Sequence, residues 1–246
     1  MTRPELTIRL AGENDSAAVR ELDDLAFGSG GQRADPGELE AGVAAGDIYV
    51  LVQAEDVPVG YLHADTSRSN RIYVAGVAVH PQWQGRGLGS ALIDRMLEVL
   101  GDERHLAPVV TVTSPHNVRM LKVLLQRGFS ARWFLVDHFG PGIHRFGCQL
   151  LAADSPVPDP ASTLWVPAAE LDRVAALMQV HGYRVRSIDD AVATMPVRLE
   201  LVPVDSADFL PADPPDHRID PAELQQERLD REIQDNLKPS HNDGTW

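Results

Sequence analysis

The stretch VAVHPQWQGRGLG, Val77 to Gly89, runs strand-like residues into a turn that carries Gly85, Gly87 and Gly89, and an amphipathic pattern follows at once. Glycine is costly at a helix start unless the backbone must turn left-handed or be approached closely. Here it strips side chains from the place where the first N–H groups of a helix lie unpaired. Several such groups converging on one point favour an anion, and a diphosphate is their natural guest. No Gly-Lys-Ser/Thr follows, so this is not a Walker loop. The glycine spacing and the antiparallel-looking strands before it do not fit a dinucleotide fingerprint either.

Side chains suited to proton transfer lie on the neighbouring strands. Tyr61, His63 and Asp65 alternate onto one face, where the carboxylate would raise the basicity of the imidazole. Tyr73 sits early on the strand that leads into the glycine run, and His138 near the end of a later strand. Each is either a base that takes a proton from an alkylammonium group or an ordinary edge or surface residue. His80 and His116 flank the glycine run and the next helix start, and read equally as loop residues. Cys148, between Phe146 and Leu150, reads as a small buried hydrophobe, and Trp133 and Phe134 as core or cleft lining.

Periodicity supplies the elements that hold these groups. LTIRLA alternates as a strand, and ENDSAAVRELDDLAF places Ala18, Val19, Leu22, Leu25 and Ala26 at helical spacing after Asn14, Asp15 or Ser16 as caps. PGELEAGVAAG is a short helix, and IYVLVQA, VPVGYLHADT and RIYVAGVAV are strands. Leu88, Ala91, Leu92, Met96 and Val99 mark the helix after the glycines; VVTVTS is the next strand. SPHNVRMLKVLLQRGF then reads as a helix capped by Ser114 with Pro115 in its first turn, and ARWFLVDHF and HRFGCQLLA as two closing strands. This gives the order β, α, α, β, β, β, α, β, α, β, β over residues 1–152. Residues 153–162 read as a linker, 163–205 as a small α/β extension with a helix over PAAELDRVAALMQVHG, and 206–246 as an acidic Pro-rich segment, helix and tail.

Composition narrows the partners. The chain has 246 residues and a formal net charge of −14, which argues against nucleic acid and anionic membrane and in favour of a cationic acceptor such as an amine. One cysteine excludes an internal disulfide and a Cys-rich zinc site, and no metal is called for. No stretch is long and apolar enough for a signal or a span, which points to the cytoplasm.

Gln84-Gly85-Arg86-Gly87-Leu88-Gly89 in this strand–turn–helix setting, together with Asn117, Gly128 and Phe129, resembles the GNAT N-acetyltransferase superfamily over Leu6 to Ala152. The resemblance implies an α+β GNAT fold: a mixed, mostly antiparallel, splayed sheet flanked by helices, here with a C-terminal α/β appendage. It implies acetyl-CoA as co-substrate. The backbone of Val77, Ala78 and Val79 would pair with the acetyl carbonyl and pantetheine arm. The amides of Gly85, Arg86, Gly87, Leu88, Gly89 and Ser90, with Gln84 alongside, would hold the pyrophosphate, and Asn117 would meet the cofactor arm or else satisfy local backbone.

Two positions depart from the family. Leu124 stands where members often carry a tyrosine acid, and Val112 where the ribosomal-protein alanine acetyltransferases carry a glutamate base. His63 and Tyr73 become the candidate catalytic residues. The function expected is acetyl transfer to a primary amine of a small metabolite, by direct attack in a ternary complex. The alternatives are a protein or peptide N-terminal acetyltransferase and a weakly catalytic acyl-CoA-binding module. From Asp205 onward acids outnumber bases eleven to four, yet Leu224, Leu229, Ile233 and Leu237 form a narrow apolar stripe. The stripe predicts that Pro221 to Leu237 dock on the catalytic domain or on a second subunit in a homodimer.

Overall fold

Alternating apolar residues in the first third build the edge of one sheet, which the computed structural model traces through residues 6–28, 36–53, 56–67, 71–101, 107–152, 155, 159–190, 196–205, 208–209, 212 and 214–215. These all fall within one unit, Met1–Pro215. The helix expected over Pro221 to Leu237 lies outside the described residues.

The elements are β1 (Leu6–Leu10), α1 (Ser16–Phe27), α2 (Pro36–Ala45), β2 (Ile48–Gln53), β3 (Pro58–Asp65), β4 (Ile72–Val79), α3 (Leu88–Leu100), β5 (Val109–Thr113), α4 (Val118–Leu125), β6 (Phe129–Leu135) and β7 (Arg145–Leu150). After them come β8 (Leu164–Pro167), α5 (Leu171–Gln179), β9 (Tyr183–Asp189) and β10 (Arg198–Pro203). The ten strands form one sheet in the order β1-β2-β3-β4-β5-β7-β6-β9-β10-β8. Only β4 and β5 run parallel; the other neighbours are antiparallel.

Each face of the sheet has its own core. On one, Leu92, Ile93 and Met96 of α3, Leu121 and Leu124 of α4, and Val174 and Met178 of α5 cover Leu62, Val74, Val109, Phe146 and Cys148. On the other, Val19 and Leu22 of α1 and Leu39 and Val43 of α2 cover Ile48, Val50, Tyr61 and Ala78. Burial of each such side chain contributes about 1.5–3 kcal/mol. The stripe of α1 is narrower than its periodicity predicts: Leu25 is 51% exposed, while the carboxylate of Asp23 is buried beside Leu22.

The order of elements up to β7 follows the sequence pattern, with differences where local chemistry competes. Ser114 accepts a bond from the His116 N–H, and α4 starts later than expected, at Val118, with Asn117 as its cap. The helix expected over PAAELDRVAALMQVHG shrinks to α5, and Leu164–Pro167 becomes β8, because β10 offers an antiparallel partner that periodicity cannot show.

The extension adds to the sheet through the edge of β6, where Ala131 pairs with Val185. A buried polar cluster fixes that junction. Arg184, fully buried, donates through Nε to Asp208 at 2.9 Å and through Nη1 to Ser130 Oγ at 3.0 Å. Ser130 Oγ in turn donates to the Val185 carbonyl at 2.6 Å. The Asp208 backbone carbonyl accepts from Ala152 N and Ser155 Oγ, so residues far apart in the chain meet at one residue. Removing one partner of such a pair strands a buried charge, which costs about 3–5 kcal/mol. Asp208→Ala should therefore lower urea-unfolding stability by about that amount, and Arg184→Met with Asp208→Leu should recover most of it. A cut after Val204 removes Asp208 as well, so a test of the segment beyond needs its cut after Pro215.

Candidate functional site

β4 bonds β5 only over its first three residues, Ile72, Tyr73 and Val74, opposite Val109, Val110 and Thr111. Two features end the pairing. The Thr111 hydroxyl donates to the Val74 carbonyl at 2.8 Å and caps the last ladder position. On the other side of β4 the register against β3 shifts, His63 facing Gly76 and Ala64 facing Val74, so Ala75 is a bulge. A bulge bends and twists its strand. Beyond it, β4 runs on without β5.

The freed edge can be read residue by residue. His80 N–H donates to the Val59 carbonyl, which sets the alternation along β4. Gly76 and Ala78 turn their peptide groups to β3, opposite His63 and Tyr61. Val77 and Val79 turn theirs to the open side. Of the three residues expected to pair with a bound thioester, Ala78 thus spends its peptide groups within the sheet, Val77 offers both of its own, and Val79 offers its N–H, its carbonyl accepting from Gln84 Nε2.

The edge leads straight into the glycine loop. Pro81–Trp83 form a tight turn in which the His80 ring nitrogen accepts from Gln82 N, and Gln84 Nε2 donates back to the Val79 carbonyl at 2.9 Å. Gly85 and Gly87 have φ of +78° and +77°, a region that suits glycine, and the space above both is open. Gly87 is the N-cap of α3 and carries no side chain to satisfy the helix start. The N–H groups of Leu88, Gly89 and Ser90 therefore lack intrahelical acceptors and point out together. Arg86 folds over the Trp83 ring at 4.9 Å and adds a positive charge to the rim.

Asn117 caps α4, its Oδ1 accepting from Met120 N at 3.1 Å, a bond that does not use its amide N–H groups. Leu124 is sealed in the main core and Val112 is half-buried, so neither supplies a proton. His63, Asp65 and Tyr73 share the α1/α2 face: Asp65 pairs across the ladder with Tyr73, and His63 with Gly76. His63 is buried beneath α2, where a Cβ on Gly42 would lie 2.8 Å from its Nε2. Burial pushes its pKa below the usual value, outweighing Asp65, Asp47, Glu38 and Asp23 nearby. His138 is buried in the β6–β7 hairpin, edge-on to Phe139. His80 and His116 lie in loops. Burial raises the Cys148 thiol to about 12, which leaves it inert as a nucleophile. Trp133 packs over Gly147, and Phe134 is core.

The face of Tyr61, His63 and Asp65 also involves Asp23, which the sequence pattern does not mark out as part of the site. Tyr61 donates to the buried carboxylate of Asp23, and its hydroxyl would sit 3.0 Å from a Cβ on Gly76. That pair backs β4 just past the bulge. An acid on the apolar stripe of α1 was the available signal.

Residues 16–129 match the model of the acetyltransferase (GNAT) family. They are a GNAT acetyltransferase domain. Solved structures share its fold. The yncA protein of Salmonella typhimurium, solved with its cofactor acetyl-CoA, is 22% identical, with 63% of this chain and 99% of that one covered at a TM-score of 0.51. Naa50 of Arabidopsis thaliana, solved with the bisubstrate analogue CoA-Ac-MVNAL, is 15% identical, with 58% and 97% covered at 0.50. The ribosomal-protein-S5-alanine acetyltransferase of Vibrio fischeri is 14% identical, with 63% and 97% covered at 0.50. No curated protein sequence matches the chain. The matched residues carry β2 to β5, and β1 and β6 to β10 extend the sheet beyond them.

The burial of His63 has a consequence for stability. Its folded-state pKa lies below the unfolded value of 6.5, so the stabilisation from the neutral ring is complete above about pH 6.5 and is lost as pH falls through that value toward the folded one. Between about pH 7.5 and about pH 5, wild-type melting temperature should fall more than that of His63→Gln, measured by circular dichroism.

Proposed function

We propose that the protein transfers an acetyl group from acetyl-CoA to the primary amine of a small molecule, by direct attack in a ternary complex. The observation that carries this reading is the parting of β4 from β5 beyond Val74, continuous with a side-chain-free loop at the start of α3. The residues fit the co-substrate. Val77 and Val79 have backbone groups for an extended amide-bearing arm to pair with as an added strand. The amides from Gly85 to Ser90, with Gln84 fixing the turn and Arg86 on its rim, suit a diphosphate. The unengaged amide end of Asn117 suits the arm between them.

Binding both reactants in the split supplies orientation, and a backbone N–H at the open edge of β4 supplies stabilisation where negative charge develops on the thioester oxygen. The acceptor must reach the carbon as a free amine, so a group on the α1/α2 face takes its proton. Tyr73 and His63 fill that role in this reading. Tyr73 stands at the last paired stretch of β4, below the split, and His63 next to the bulge. His63 rests neutral, which is the form able to accept a proton.

A peptide amino terminus is the second reading, supported by the fold shared with proteins solved on peptide-like ligands. Acetyl-CoA turnover against amines and short peptides, followed as free thiol, separates the two. CoA binding without thiol release over the whole panel would count against both and favour a binding module.

Two sets of variants test the assignments. Gly87→Glu places a carboxylate at the diphosphate position and strains a left-handed backbone, and should weaken CoA binding by at least about 100-fold in calorimetric titration while the protein stays folded. If Tyr73 or His63 is the base, Tyr73→Phe or His63→Gln should lower kcat by about 100-fold or more and remove the limb of the pH–rate profile that reports it. Identical profiles in all variants would dismiss both residues.

A further inference from the structure

The α1/α2 face of the sheet holds a cation that no carboxylate among the described residues pairs with. Arg145 opens β7, opposite Leu135 of β6, one residue before Phe146 meets Thr113 at the end of β5. Because β7 runs antiparallel to β5, this start lies at the same end of the sheet as the split. Phe146 and Cys148 belong to the core on the α3/α4 face, so Arg145 and Gly147 point to the opposite, α1/α2 face.

Arg145 is 6% exposed. Its Nη1 donates to the neighbouring His144 carbonyl at 2.7 Å, and its guanidinium lies 4.8 Å from the centre of the Phe139 ring. The group that acts on it electrostatically is Tyr73, the candidate base. Among the described residues no carboxylate meets it, in a chain whose net charge is −14. Burial pushes its pKa down, and Tyr73 opposes the effect without reversing it. Of the other buried arginines, Arg184 has Asp208 and Arg71 donates to the Pro214 carbonyl.

The guanidinium is also held in place. Phe139 sits in a hairpin braced by Asp137, whose Oδ1 accepts from Gly142 N at 2.7 Å, and the Ile143 N–H donates to the Gly140 carbonyl. A buried cation, built into a rigid hairpin and lacking an anion, is stable at a functional cleft when a ligand brings the anion.

We propose that Arg145 is the anion anchor of the acceptor site, and that the acceptor is an amine carrying a carboxylate on the same small molecule, the class of the free amino acids. The proposal rests on the acetyl-transfer reading for the amine. It adds the second recognition point. A planar guanidinium fork matches one carboxylate bidentately, whereas a phosphate dianion would call for further free cations. Two other arginines on this face already donate elsewhere: Arg132 to Gln149 Oε1 at 2.7 Å and Arg71 to the Pro214 carbonyl. In this arrangement the carboxylate docks on Arg145 at the mouth of the split and the amine turns toward Tyr73 and the open edge of β4. An amide in place of the carboxylate, as in the first residue of a peptide, leaves Arg145 unpaired.

The test uses the full chain saturated with CoA and a panel of free amino acids, each paired with its amide. Calorimetric titration should find an amino acid whose amide binds at least about 30-fold more weakly, and Arg145→Gln should remove that preference while Arg145→Lys restores part of it. Unchanged CoA affinity of both variants shows that they fold. Equal binding of acid and amide, or no amino acid bound at all, would overturn the proposal. The same panel run with acetyl-CoA keeps the two readings apart. Thiol release with amides and plain amines at the kcat/KM of the acids overturns the Arg145 assignment and leaves acetyl transfer intact. Binding of an acid that Arg145→Gln abolishes, without thiol release from any amine, upholds the anchor and overturns acetyl transfer.

Discussion

The parting of two parallel strands is the constraint on which this molecule turns. A ladder that continued past Val74 would close the cleft, and no other arrangement of side chains would reopen it. Thr111 and the bulge at Ala75 end the ladder from opposite sides, one by occupying a carbonyl and the other by shifting the register. The result is a strand whose outer groups, both peptide groups of Val77 and the N–H of Val79, remain available inside a folded sheet. Exposed strand edges invite unwanted pairing, and this one is confined to a gap a few residues long at the centre of the molecule.

Electrostatics around the gap run against the composition of the chain. The formal charge is strongly negative, yet the features that frame the cleft are positive: the start of α3, Arg86 on its rim and Arg145 on the acceptor face. Net charge governs solubility and long-range attraction, whereas binding follows the few groups that a ligand displaces water from. The acidic side chains that come close, around His63, are outweighed by the cost of burying the imidazole. An acidic protein can therefore hold a neutral histidine and an unneutralised arginine on the same face.

The C-terminal strands serve the same architecture from the far edge. β9 joins β6 through a single ladder position, and the Arg184–Asp208–Ser130 cluster reinforces the connection together with Gln179 on the Phe134 carbonyl and the Lys122–Asp190 pair. That polar cluster is buried and shape-specific, so it sets where the strands meet as well as how firmly. β6 and β7 carry Phe139 and Arg145 on their hairpin, and the extension therefore braces the element that holds the acceptor face.

The sequence by itself determined whatever depends on neighbours a few residues away. The glycine run, the strand before it and the helix after it are local, as is the order of elements through β7, because periods of two and of 3.6 residues are written into consecutive positions. Only the tertiary structure decided which peptide groups face the gap, since a bulge is a mismatch between two strands and has no signature in either. It also decided that Leu164–Pro167 is a strand, because β10 supplies the partner, and that His63 is buried, because α2 packs over it with Gly42 facing the ring. Arg145 looked like any hairpin arginine. Its meaning lies in the lack of a carboxylate partner among the described residues, which exists only once the chain has been brought together.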